Sequence, residues 1–138
     1  VGPGKSQLDS FLETALIADG RQQTPNPNPE AGYYYRSDHF AFAKRGVPML
    51  YLDGGQDLIV GGRAAGAEIA ADYRANRYHG PKDEFNEDWD WSGVMADLQL
   101  FYRLGRMLSK STSWPNWNEG DEFKATRDEI CSSEPIGC

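Results

Sequence analysis

Histidine is scarce in this chain: His39 and His79 are the two among 138 residues. A catalytic zinc ion needs about three protein ligands plus a water. The 21 acidic residues offer neither an HExxH pattern nor another compact ligand spacing. A zinc site written as one local motif is thereby excluded, and any metal partners of His79 are scattered along the sequence or absent from it. Cysteine is equally rare. Cys131 and Cys138 both fall near the C-terminus. Their spacing suits a small disulfide loop, which implies an oxidising compartment, and suits equally well two free thiols in a frayed tail.

Other absences narrow the class further. No apolar run reaches the roughly 18 residues of a membrane-spanning helix. The opening stretch VGPGKSQLDS has no basic segment followed by an apolar one, so no signal peptide is visible. The chain also begins without Met, and a fragment reading leaves room for such a signal upstream. Basic excess is missing too: the formal charge is −7, which argues against non-specific binding to nucleic acid or to anionic membranes. No internal repeat occurs.

What the chain does contain is enough apolar and aromatic surface, 39% and 12%, to offset the entropy of ordering one domain. SQLDSFLETALIADG reads as an amphipathic helix, with Ser6 as cap, Leu8, Phe11, Leu12, Ala15 and Leu16 at helical spacing, and Gly20 as stop. The alternating prolines of TPNPNPEAG demand an extended loop. Tyr33 to Tyr35 suit the end of a strand, Ser37 a cap for a short helix through Lys44, and Gly46 its end. VPMLYL has the character of a buried strand. Residues 54–66 are glycine-rich and irregular, and AGAEIAADYRANR is a weaker helical pattern. WSGVMADLQLFYRLGRMLSK is the longest one, with Asp90 or Ser92 as cap and Val94, Leu98, Phe101, Gly105 and Leu108 on one face. Helices interleaved with strand-like runs predict an α/β fold, a layered sheet with flanking helices. Residues 1–112 form its body and 113–138 a wrapping C-terminal tail.

Three short motifs test for chemistry. GPGKS resembles the end of a phosphate-binding loop but lacks the preceding strand and the earlier glycine, so it is a turn into a helix. Ser37, Asp38 and His39 are the residue types of a hydrolytic triad, yet consecutive residues cannot converge as nucleophile, base and orienter. No Gly-x-Ser-x-Gly elbow is present. An unrelated serine esterase would need a serine within reach of His39 or His79. RYHGPKDEF places His79 in a Gly-Pro turn, after Tyr78 and four residues before Asp83. In isolation it is a loop histidine.

Taken together, YRSDHFAFAKRGVPMLYL and, some thirty residues on, RYHGPKDEF resemble the C-terminal part of the co-catalytic zinc aminopeptidases. That family also holds glutamate carboxypeptidases and glutaminyl cyclases. The shared pattern is a basic residue before Ser-Asp-His, Phe-x-x-x-Gly-x-Pro running into a buried strand, and Tyr-His-x-x-x-Asp. The long closing helix fits, and WPNWNEGDEF is similar to the tail of one bacterial branch.

The resemblance implies a phosphorylase/hydrolase-like scaffold with specific roles. His79 would be a zinc ligand. Tyr78 would be a catalytic donor to the tetrahedral oxyanion, where a phenol O–H stabilises charge present only in the transition state. Asp83 would steady the loop that aims the imidazole. Arg36, Asp38 and His39 would lie at the substrate end. The family's remaining ligands (a second His, a bridging Asp, a Glu and a further Asp) and its Glu general base precede anything in this sequence. The chain thus resembles the last part of a metallopeptidase catalytic domain, with zinc as the cofactor of a parent that holds two ions. By resemblance, the parent hydrolyses N-terminal peptide bonds with metal-activated water.

The chain alone is then expected to hold no zinc stably and to be inactive. Its expected partners are a peptide substrate, the missing N-terminal part of the domain and, through exposed edges, a second copy. Nucleic acid and membrane are not expected. The alternatives are a non-catalytic binding module on the same scaffold, or a glutaminyl cyclase or carboxypeptidase relative. Family habit and the cysteine pair point to a periplasmic or secreted location.

Overall fold

The computed structural model describes residues 4–134 and residue 138. Among the described residues there are five α-helices: α1 (Leu8–Ala18), α2 (Phe40–Ala43), α3 (Gly62–Asn76), α4 (Ser92–Lys110) and α5 (Lys124–Ser133). Two 3-10 turns, Pro29–Ala31 and Tyr33–Arg36, lie between α1 and α2. The expected layered α/β sheet is not there: no strand occurs among the described residues, and β-pairing is limited to the isolated bridges Ser6–Trp117 and Leu58–Gly62. A strand is stable only with neighbours to take its N–H and C=O groups. Among the described residues, VPMLYL pairs with no other strand. The chain divides into two compact units, Val1–Asp53 with Leu98–Cys138, and Gly54–Asp97.

In the first unit, α1 follows its apolar repeat. Ser6 Oγ accepts the Leu8 N–H at 3.3 Å and donates to the Met49 carbonyl at 3.2 Å. The helix closes as a Schellman turn: the Arg21 N–H reaches Leu16 O at 2.9 Å and the Gly20 N–H reaches Ile17 O at 3.1 Å. Gly20 supplies the left-handed residue that turn requires, at φ 66°. Leu12, Ala15 and Leu16 are buried with Leu100 of α4, and Leu50, Leu52 and Met107 pack against them. Each buried leucine contributes roughly 2 kcal/mol of transfer free energy.

A second cluster contains Tyr34, Ala43, Trp117 and Phe123, with Phe40, Met49 and Tyr51 packed around it. Residues 49–52 therefore alternate, odd positions into one cluster and even positions into the other. That is the side-chain pattern of a strand buried on both faces, without its hydrogen-bond ladder. The tail enters the same cluster through Trp117, which is 1% exposed. An antiparallel clasp holds it there, with Gln7 N–H on Asn116 O at 2.8 Å and Asn118 N–H on Lys5 O at 2.9 Å. Lys5 Nζ lies 3.3 Å from Asp121 and sits over the Tyr34 ring. Cys131, near the C-terminal end of α5, is joined to Cys138 in a disulfide with Cα atoms 5.7 Å apart.

Three local expectations are corrected. Tyr33–Tyr35 form a 3-10 turn rather than a strand end, because Gly32 at φ 63° reverses the chain immediately before them. Ser37 does not cap α2; its hydroxyl donates to Tyr33 O at 2.8 Å instead. The buried stripe of α4 is Leu100 and Leu104, while Val94, Leu98 and Phe101 are exposed. The helix carries two apolar stripes, and periodicity alone does not say which one meets a core. The cap is Asp90, whose carboxylate accepts the Ser92 N–H at 2.8 Å.

The second unit is different in kind. Of residues 54–97, Gly66 alone is buried. It faces the backbone of Gln56 so closely that any Cβ would collide with that carbonyl. Glycine at 66, inside α3, is thus required for this contact, and α3 begins at Gly62, earlier than its apolar pattern suggests.

Candidate functional site

The RYHGPKDEF turn lies in the second unit and begins where α3 ends. The N–H groups of Arg77 and Tyr78 both bond to Tyr73 O, at 3.0 and 2.9 Å, which stops the helix. Gly80 N–H then bonds to Arg77 O at 2.8 Å and Asp83 N–H to Gly80 O at 3.0 Å. His79 sits at φ 57°, and it is the one non-glycine residue with positive φ among those described. Such a conformation costs an L-residue about 1 kcal/mol and has to be held by its surroundings.

Asp83 is what holds it. One carboxylate oxygen accepts the His79 backbone N–H at 3.3 Å. The Tyr73 hydroxyl donates to both oxygens, at 2.9 and 3.0 Å. That hydrogen bond to an anion raises the Tyr73 phenol above its ordinary value, with burial and the Asp83 charge acting in the same direction. The Tyr78 ring stacks on the His79 imidazole, with centroids 3.9 Å apart and planes 23° apart. Both side chains are exposed. The unit thus presents an imidazole and a phenol side by side on a braced turn. Tyr73 was not singled out by motif. Ten residues separate it from Asp83, and no local pattern marks a tyrosine as the anchor of a later turn.

Arg36, Asp38 and His39 belong to the first unit. Arg36 donates to Ala31 O at 3.4 Å, and both Arg36 and Asp38 are exposed. His39 lies between the rings of Tyr34, at 4.6 Å, and Tyr51, at 4.8 Å. Its Nε2 is enclosed without a hydrogen-bond partner. Burial lowers its pKa from the ordinary imidazole value, and the nearby Asp38 charge opposes that shift. It is a neutral ring in an aromatic cluster.

Among the described residues, no three His, Cys, Asp or Glu side chains gather closely enough to hold a metal ion. His79 is an isolated imidazole, and the carboxylate nearest to it in the turn is already engaged. The described residues do not by themselves make a zinc site.

No curated protein and no solved structure matches the chain. The model of peptidase family M28 does match, over residues 1–102. That span contains both the Ser-Asp-His segment and the Tyr-His turn. The family is that of the co-catalytic zinc aminopeptidases and carboxypeptidases, which are peptidase-type hydrolases. The chain belongs to peptidase family M28.

Proposed function

We propose that this chain is the part of an aminopeptidase-type metallopeptidase that supplies His79 as one zinc ligand and Tyr78 as the oxyanion donor. Asp83 positions the turn, and Arg36, Asp38 and His39 contribute to the substrate side. The remaining ligands and the general base come from residues outside this sequence. The observation that carries the reading is the stacked Tyr78–His79 pair on a turn braced by Asp83, inside the segment that matches the family. The Cys131–Cys138 disulfide supports a periplasmic or secreted location.

The isolated chain is expected to take up no stoichiometric zinc and to release no product from aminoacyl-nitroanilide or C-terminal-glutamate substrates. Zinc at one equivalent or more, measured by elemental analysis, together with aminopeptidase turnover would overturn the proposal. In the assembled enzyme, His79→Ala is expected to lose zinc, whereas Tyr78→Phe keeps the metal and loses turnover by about 10²–10³-fold. Preference for N-terminal over C-terminal substrates there separates the aminopeptidase reading from the carboxypeptidase one.

A further inference from the structure

The segment from Asp83 to Trp91, DEFNEDWDW, holds five carboxylates, three large aromatics and one asparagine, with no basic residue. Its rings form one cluster. Phe85 and Trp89 meet edge to face at 5.6 Å, Trp89 and Trp91 do so at 5.4 Å, and Phe85 and Trp91 lie near-parallel at 6.3 Å. The rings remain 68%, 43% and 45% exposed for Phe85, Trp89 and Trp91. Two of the carboxylates are engaged, Asp83 by Tyr73 and His79 and Asp90 by the Ser92 N–H. Glu84, Glu87 and Asp88 are exposed and form no side-chain ion pair among the described residues.

Both features ask for the same guest. The face of an indole carries negative potential, so rings and carboxylates together favour a cation that sheds its water cheaply. A guanidinium meets both demands. It lies flat on an aromatic face while its fork of N–H donors matches a carboxylate, whereas an ammonium is compact and strongly hydrated. An anionic guest meets five negative charges within nine residues, and a second copy of the chain brings the same repulsive segment. We propose that residues 83–91 are a docking surface for an arginine-bearing extended peptide, with the guanidinium on the Trp89 and Trp91 rings and its counter-charge from Glu84, Glu87 and Asp88. This inference does not depend on the peptidase reading, since it needs no metal and no turnover.

Titration of the chain with blocked tetra-arginine, tetra-lysine and tetra-serine peptides, read at the tryptophan indole N–H signals by nuclear magnetic resonance, tests it. The Trp89 and Trp91 signals are expected to move with tetra-arginine while Trp114 and Trp117 stay in place. Binding is expected to be about three- to tenfold tighter for arginine than for lysine, and to weaken as salt is added. The W89A/W91A pair should weaken binding about tenfold or more, and E84Q/E87Q/D88N should remove most of the salt dependence. The Arg77 and Tyr78 amide signals, whose bonds to Tyr73 O close α3, are expected to stay in place and report in each variant that the second unit is intact. Silent Trp89 and Trp91 signals, an equal response to tetra-serine, or indifference to both variants would overturn the proposal. Tighter binding to neutral phosphatidylcholine vesicles than to tetra-arginine would overturn it in favour of a lipid surface.

Discussion

The Trp117 indole donates its Nε1–H to the carbonyl oxygen of Gly46 at 3.0 Å, in a buried setting and between segments 71 residues apart. This bond fixes the tail against the end of α2, and the ring packs with Phe123 at 5.1 Å. Trp117→Ala is expected to cost about 3–5 kcal/mol, since it removes the largest buried side chain of its cluster. Trp117→Phe keeps most of the packing but strands the Gly46 carbonyl, for about 1–3 kcal/mol. Urea unfolding of the two variants separates packing from hydrogen bonding. Equal losses would mean that the bond contributes nothing.

Gly46 itself supplies the second test. It lies at φ 75°, and a Cβ there would stand 2.9 Å from the Arg127 backbone nitrogen of α5. Gly20 has a similar φ of 66° but open space around it. Gly20→Ala is therefore expected to cost about 1 kcal/mol, from backbone conformation alone. Gly46→Ala adds a clash with main chain that cannot rotate away, and should exceed about 3 kcal/mol. Thermal or chemical denaturation of the pair checks the difference, and similar losses would show that α5 yields easily.

A third expectation concerns pH. His39 is held below its ordinary pKa of 6.5, chiefly by burial. As pH falls below that value, the unfolded chain takes up the proton first, so protonation favours unfolding. The contribution of the neutral ring is fully present above 6.5 and declines as pH drops through 6.5 toward the depressed folded value. Urea midpoints measured from about pH 7.5 to about pH 5 should therefore fall more steeply for the native chain than for His39→Phe. Identical slopes would remove His39 as the cause.

The Tyr73–Asp83 bond makes the fourth. Asp83→Asn removes the anion that raises the Tyr73 phenol, so the Tyr73 pKa is expected to drop toward its ordinary 10.0. The same change weakens the acceptor of the His79 N–H, and the His79 amide should exchange faster with solvent. Tyrosinate absorbance against pH and hydrogen exchange report the two effects. A Tyr73 titration unchanged in Asp83→Asn would show that the brace is not formed in solution.

Much of this was legible where the cause is local. The apolar repeat of α1, its Gly20 stop, the Asp90 cap and the Gly-Pro turn around His79 all depend on residues within a few positions of each other. The family was legible as well, from the Ser-Asp-His and Tyr-His segments and their separation. The sheet was the failure. VPMLYL has strand character, but pairing depends on distant partners, and this stretch finds two side-chain clusters instead of neighbouring strands. The α4 face failed for a related reason: Leu100–Leu104 and Val94–Leu98–Phe101 are both valid stripes, and only tertiary contact selects one. Tyr73 escaped notice because its bond to Asp83 crosses ten residues with no spacing rule behind it.

The alternating run at 49–52 has a consequence for chain length. Met49 and Tyr51 serve one cluster while Leu50 and Leu52 serve the other. The two clusters therefore share a single reading frame. A point substitution disturbs one of them, but inserting or deleting one residue exchanges all four side chains at once and spoils both. Length changes in this unit belong in the proline-rich loop, where nothing is counted in pairs, and between Pro48 and Asp53 the spacing is as binding as the residues.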